Sequence, residues 1–363
     1  MTDVDRSAIE KALAGVVDPN TDTDPVSSKS IKRIETDGDH VTVEMSIGYP
    51  AKSWVDEYAG LLQTQVQAVD GVRTAEIKIS TNIASHTVQK GVKPLPGVKN
   101  MIAVASGKGG VGKSTVAVNL ALALSAEGAS VGVLDADIYG PSQPRMLGVK
   151  AKPESKDGKS MEPLLSYHLQ TMSIGFLIDE ETPMIWRGPM VTQALEQLLK
   201  DTRWDQLDYL IIDLPPGTGD TQLTLAQRVP VTGAVIVTTP QDIALLDARK
   251  AYKMFEKVEI PVLGVIENMS THVCSQCGHE EQIFGAGGGR RIAEEYGVEY
   301  LGELPLDARI RADVDAGRPT VVADPDGPIA RIYKEIARRV AARVSTRAKD
   351  YSDKFPTIVI QNT

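Results

Sequence analysis

Apolar and polar positions follow two regimes along the chain. Up to residue 85 short stretches of differing period alternate. Ile9, Leu13 and Val16 or Val17 recur at helical spacing over residues 7–17, and Asp18-Pro19 stops the pattern. Val41, Val43, Met45 and Ile47 alternate with polar residues, the period of a half-buried strand. A second helical stretch over residues 53–69 ends at Asp70-Gly71, and Ala75, Ile77 and Ile79 mark another strand over residues 74–80. These patterns predict a small α/β domain over residues 1–85. Residues 86–99 contain Gly and Pro without a period and read as a linker.

From residue 100 the pattern becomes strand, turn and helix, repeated. Apolar runs at residues 101–105, 131–134, 209–212, 234–237 and 262–266 are too short for helices and are separated by helical stretches. Continuous runs of this kind are parallel strands covered on both faces. Residues 100–345 are therefore expected to form a doubly wound, mostly parallel α/β sheet with its ligand at the C-terminal strand ends. Near its end Ile329, Ile332, Ile336, Val340 and Val344 share one helical face, with Arg331, Lys334, Arg338, Arg339 and Arg343 on most of the rest. Such a helix either packs its stripe on the sheet or lies on anionic membrane; an aliphatic stripe lacking Trp and Phe favours packing. Residues 346–363 read as a tail.

Composition narrows the function. The 363 residues carry 39 Lys and Arg against 48 Asp and Glu, a net charge of −9, which argues against a general nucleic-acid binder. The first residues, MTDVDRSAIEKALAG, are acidic where a secretory signal is basic, and no apolar run approaches the roughly 20 residues that span a bilayer. The expectation is a cytoplasmic protein without stable membrane association. Its 2 cysteines exclude a disulfide scaffold, and they sit together as Cys274 and Cys277.

Directly after the first strand of the second regime comes Ser106-Gly107-Lys108-Gly109-Gly110-Val111-Gly112-Lys113-Ser114-Thr115, followed by a helical stretch. Glycines let backbone N–H groups converge on phosphate oxygens, and the helix N-terminus adds partial positive charge. In this G-x-x-x-x-G-K-[ST] pattern Lys113 reaches the β- and γ-phosphates and Ser114 ligates Mg²⁺, which predicts a nucleotide as ligand. Asp135 and Asp137 close one strand and Asp213 another, before Leu214-Pro215-Pro216-Gly217-Thr218-Gly219-Asp220. Carboxylates there can hold Mg²⁺ through water and orient the attacking water.

The C-x-x-C spacing of Cys274 and Cys277 lets two thiolates bind one metal centre, whereas tetrahedral zinc or a [4Fe–4S] cluster takes about four ligands. A symmetric dimer would supply the missing pair. A zinc knuckle using the flanking His272 and His279, or a redox dithiol, are the competing readings.

Lys108 makes the loop resemble the deviant Walker A of the MinD, ParA and nitrogenase iron-protein class. Together with DADIYGPS from Asp135, WRGPM from Trp186, DLPPGTGD from Asp213 and the C-x-x-C, the chain resembles the Mrp/ApbC family of iron-sulfur cluster carriers over residues 99–317. The resemblance implies an ATP-sandwich homodimer in which Lys108 contacts nucleotide phosphate across the interface. It also implies that Asn268 reads adenine, Asp137 positions Mg²⁺ or water, and Cys274 and Cys277 of two subunits hold a bridging [4Fe–4S] cluster. The expected activity is ATP hydrolysis, weak and coupled to carriage, with apo iron-sulfur proteins as clients. A ParA/MinD-like positioning switch with a structural metal, and a nitrogenase-iron-protein-like reductase, are the alternatives. Residues 1–85 resemble the small iron-sulfur-assembly domain, although Asn20 stands where that family reads glutamate after D-P and Lys52 where it often has cysteine.

Overall fold

The computed structural model describes residues 5–89, 91–178, 188–274 and 276–350. Trp186 and Arg187 of the WRGPM segment, Ser275 between the cysteines and the tail from residue 351 lie outside the described residues.

The chain divides into two compact units. The first runs to Ala84 and includes Ala341–Thr346. Its elements are α1 (Arg6–Ala14), β1 (Ile31–Asp37), β2 (His40–Ile47), α2 (Val55–Gln67) and β3 (Thr74–Thr81), with β2 antiparallel to β1 and parallel to β3. Val41, Val43, Met45 and Ile47 of β2 are buried, as the alternation requires, and so are Leu13 of α1 and Tyr58 and Leu62 of α2. α1 ends at Gly15, earlier than the apolar pattern suggests, and Val17 is exposed. β1 escapes the period reading because its isoleucines, Ile31 and Ile34, stand three apart across an irregular register.

Asn20 closes a buried turn in this unit. Its backbone N–H and Nδ2 donate to Asp18 Oδ1 at 2.9 and 3.0 Å, and the Tyr49 hydroxyl donates to Asp18 Oδ2 at 2.6 Å. Burial, reinforced by the Asp18 charge, drives the Tyr49 pKa upward. Lys52 is exposed, so neither departure from the family pattern places a thiolate here.

The second unit runs from Ser85 to Val340 and from Arg347 onward. It contains β4 (Val98–Ala105), α3 (Lys113–Ala126), β5 (Val131–Asp135), α4 (Gln143–Met146), β6 (Leu164–Ser166), β7 (Leu169–Ser173) and α5 (Gly188–Lys200). These are followed by β8 (Leu207–Asp213), α6 (Asp220–Arg228), β9 (Gly233–Thr238), α7 (Asp242–Lys257), β10 (Val262–Glu267), β11 (His272–Val273) and β12 (Glu280–Glu281). Last come α8 (Gly288–Tyr296), β13 (Glu299–Glu303), α9 (Ala308–Asp315), α10 (Thr320–Ala323) and α11 (Pro328–Ser345). Among the described residues the large sheet has the order β13-β10-β9-β4-β8-β5-β7-β6, parallel except for β6 at the edge. The five apolar runs form its centre, and their reversal of order around β4 opens the crevice where such sheets bind ligands.

Residues 86–99 do not behave as a free linker. His86 and Gln89 are buried, Gln89 Nε2 donates to the carbonyls of Ala226, at 3.0 Å, and Val229, and β4 already begins at Val98. Of the apolar stripe on the C-terminal helix, Ile329, Ile336, Val340 and Val344 are buried and Ile332 is half-buried; the residues from Ala341 belong to the first unit. The basic face of this helix is not wholly solvated, because Arg338 is buried and donates to the buried carboxylate of Glu127 at 3.1 Å. Removing one partner of a buried pair costs about 3–5 kcal/mol. Arg338→Met is therefore expected to lower the thermal unfolding midpoint by several degrees, and calorimetry showing an unchanged midpoint would contradict this role.

Candidate functional site

β4 and α3 fix the two ends of the glycine-rich loop. Two of its glycines are required by contact. A Cβ on Gly107 would stand 2.0 Å from the Asp247 carbonyl of α7, and Gly112, at φ +81°, would put one 2.3 Å from Asn268 Nδ2. Asn268 Nδ2 donates to the Val111 carbonyl at 2.8 Å, while its backbone N–H donates to Thr238 O at 2.7 Å. The residue expected to read adenine thus braces the loop from the end of β10.

Lys113, the first residue of α3, is 6% exposed; its Nζ donates to Asp213 Oδ1 and, at 3.1 Å, to Ser114 Oγ. Lys108 is half-exposed and its ammonium has no side-chain partner among the described residues, while its carbonyl accepts from Ser106 Oγ at 2.9 Å. Gly109 and Gly110 are exposed, and Thr115 accepts through its carbonyl from Asn119 at 3.0 Å.

Register pairs Asp135 of β5 with Asp213 of β8, so two fully buried carboxylates are cross-strand neighbours. Asp135 Oδ2 accepts from the N–H groups of Ser142 and Gln143 at 3.0 and 3.1 Å and from Ser173 Oγ at 3.0 Å. Its pKa is pushed up to about 7, by burial first and then by the Asp213 charge. Asp137 lies beyond the strand and is half-buried; burial raises its pKa against the opposing pull of Lys113. An acid with a raised folded pKa favours its neutral form. Asp135 therefore contributes stability at acid pH that is lost as pH rises from about 4 to about 7. The stability of wild type relative to Asp135→Asn should fall across that window and level off above it in denaturation at stepped pH; a flat difference would refute the assignment.

The sequence reading missed Gln143. Its Nε2 donates to Asp213 Oδ2 at 2.9 Å and to the Ser114 carbonyl at 3.1 Å, and its backbone N–H holds Asp135. Three segments distant in the chain are tied by one side chain; its position in the DADIYGPSQ segment is the only sequence signal. Ser114, Asp135, Asp137 and Asp213 form a set of hard oxygen donors, and the buried Gln143 Oε1 and Ser142 Oγ have no partner among the described residues. This chemistry fits Mg²⁺, which keeps several waters that need acceptors.

Cys274 and Cys277 sit at the tip of the β11–β12 hairpin. The Cys274 N–H donates to His279 O at 2.9 Å and the Gly278 N–H to Cys274 O at 2.8 Å. Cys277 is exposed and Cys274 half-exposed. The backbone N–H groups of Gln276 and Cys277, then the Cys277 thiol, lower the Cys274 pKa, which favours a thiolate ligand. His272 Nδ1 donates to Leu306 O at 2.9 Å, and the Leu306 N–H donates to Thr271 O at 2.8 Å, so the hairpin base is stitched to the segment after β13. Among the described residues no group of three or more His, Cys, Asp and Glu side chains is arranged to hold a metal ion. His272 and His279 do not complete a site with the two thiols.

Two family descriptions match the chain. The family described as NUBPL iron-transfer P-loop NTPase matches residues 97–341, and that described as iron-sulfur cluster assembly protein matches residues 6–79. The chain is 49% identical over 340 residues to an iron-sulfur cluster carrier protein of Escherichia coli, covering 93% of this chain and 92% of that one. It is 50% identical over 268 residues to the mouse iron-sulfur cluster transfer protein NUBPL, covering 73% and 84% respectively. Among solved structures, an Archaeoglobus fulgidus nucleotide-binding protein in complex with ADP aligns at a TM-score of 0.55 and 38% identity, over 63% of this chain and 90% of its own. The Pyrococcus furiosus cell division ATPase MinD, at 0.51 and 22% over 66% and 98%, shares the fold.

Proposed function

We propose, from the premise that this chain belongs to the NUBPL iron-transfer P-loop NTPase family, that it is an ATP-dependent iron-sulfur cluster carrier. The observation that carries the reading is the short path between its two sites. Asn268 grips the Val111 carbonyl of the phosphate loop, and the same strand leads within six residues to Cys274. Movement of the loop on binding nucleotide is thereby communicated to the cysteine hairpin.

ATP is the nucleotide, bound with Mg²⁺. Lys113 and Lys108 stabilise phosphate charge, Ser114 holds the metal, and Asp137 and Asp213 order metal and water. Residues 107–115 cradle the phosphates, and Asn268, which braces the loop through Nδ2, reads adenine beside it. Hydrolysis is weak, because its purpose is to alternate two conformations rather than to turn over substrate.

The cargo is a [4Fe–4S] cluster held by Cys274 and Cys277 of two subunits in a homodimer. Support comes from the two thiols that one chain offers at an accessible tip, against the four such a cluster takes. The clients are apo iron-sulfur proteins of the cytoplasm. Residues 1–85 serve as a docking or regulatory module or as a structural appendage, since Lys52 stands where the resembling family often has a cysteine. Anaerobic reconstitution with iron and sulfide tests the reading: about four iron and four sulfide per dimer are expected, whereas zinc without sulfide would point to the structural metal of a positioning switch.

A further inference from the structure

The Gln143 amide can lie only one way. Its two close neighbours, the Ser114 carbonyl at 3.1 Å and Asp213 Oδ2 at 2.9 Å, are both acceptors, so the nitrogen faces them. Turning the amide over would set Oε1 against a carbonyl and a carboxylate. Oε1 is therefore committed to a different direction, and there it is buried without a donor. Gln143 as a whole is 0% exposed. A buried acceptor lacking a donor is costly, and the residue that retains this one is tied through Nε2 to Asp213 and the Ser114 carbonyl and through its backbone N–H to Asp135.

The two carboxylates are acceptors, and the donors facing Asp135 are used by it. Ser114 Oγ accepts from Lys113 and makes no hydrogen bond to Gln143 Oε1. A water polarised by a divalent cation between Ser114 and the carboxylates would be a strong donor in need of an acceptor.

We propose that Gln143 is a positioning residue for the Mg²⁺ that accompanies nucleotide, its Oε1 accepting a hydrogen bond from a water on the metal while its amide nitrogen sets the rotamer of Asp213. The inference rests on the reading of this site as a Mg²⁺-nucleotide site and adds a residue to it. Gln143 touches neither phosphate nor the reacting atoms; it acts through the water and Asp213.

The test is calorimetric titration of ADP into the full-length protein, with Mg²⁺ and with EDTA, for wild type, Gln143→Met and Gln143→Glu. Wild type should bind ADP more tightly with Mg²⁺. Gln143→Met, close in size, should match wild type within about twofold in EDTA and lose about tenfold of the tightening that Mg²⁺ confers. Gln143→Glu keeps an acceptor oxygen for the water but sets its other oxygen against Asp213 and the Ser114 carbonyl, so it should bind ADP more weakly than wild type in EDTA and still gain more from Mg²⁺ than Gln143→Met does; the unfolding midpoint of each variant without ligand identifies a misfolded one. Equal weakening with and without metal in Gln143→Met would make the residue a loop strut and overturn the proposal, as would an undiminished Mg²⁺ effect. A wild-type protein that binds no ADP in either condition would remove the nucleotide reading itself, and the proposal with it.

Discussion

Lys113→Ala is expected to reduce the rate of ATP hydrolysis by about 10²–10³-fold, the usual cost of deleting one preorganised group that stabilises transition-state charge. The structure adds a second consequence. Lys113 is paired with Asp213, which is fully buried and faces Asp135 across the strand pair. Losing the ammonium leaves two neighbouring buried carboxylates with no cation between them, so the variant should also lose about 3–5 kcal/mol of stability. On the proposed reading Lys113 would leave Asp213 to reach phosphate, and a divalent cation bound with the nucleotide would restore positive charge beside Asp213. Added Mg²⁺ should accordingly recover part of the variant's lost stability, through the carboxylates, without restoring hydrolysis. Denaturation with and without Mg²⁺, beside a phosphate-release assay, reads both effects. Near wild-type hydrolysis in a folded Lys113→Ala protein would contradict the placement of Lys113 on phosphate.

Cys277→Ala should abolish iron retention after reconstitution, to less than about a tenth of wild type, because a two-fold assembly loses two of roughly four ligands from one substitution. Cys277 is exposed, so little packing goes with it, and surface substitutions of this kind usually alter stability by less than about 0.5 kcal/mol. The variant should therefore keep its unfolding midpoint and its affinity for ADP. Elemental analysis for iron, sulfide and zinc, paired with calorimetry, separates the outcomes. Full iron retention in Cys277→Ala would place the cargo elsewhere on the chain.

Much of the fold was legible because its central strands are covered on both faces and must be apolar throughout, as the runs ending at Ala105, Leu134, Ile212, Val237 and Ile266 are. The edge strands β13 and β6 carry no such requirement: Glu299 and Glu303 bracket β13, and Leu165 of β6 points to solvent. Their pairing is decided by neighbours, not by their own pattern. The segment after residue 85 misled for a related reason. Its lack of period is real, yet Gln89 is fixed by carbonyls 137 and 140 positions away, a contact local sequence cannot encode.

In the site, the motif residues were readable because phosphate chemistry restricts both type and spacing. Gln143 was not, since its bonds reach 29 positions back and 70 forward and any polar residue in a loop would look the same. Asn268 was noticed for its amide, but its grip on Val111 emerges only when β10 is laid beside the loop.

Carriage is read most plainly from cluster transfer by the anaerobically reconstituted wild-type protein to an apo [4Fe–4S] enzyme, with a chelator present to capture free iron. The enzyme should regain activity despite the chelator, and at a rate that differs severalfold between MgATP and no nucleotide. Activity that the chelator abolishes, or a transfer rate indifferent to nucleotide, would contradict ATP-dependent carriage.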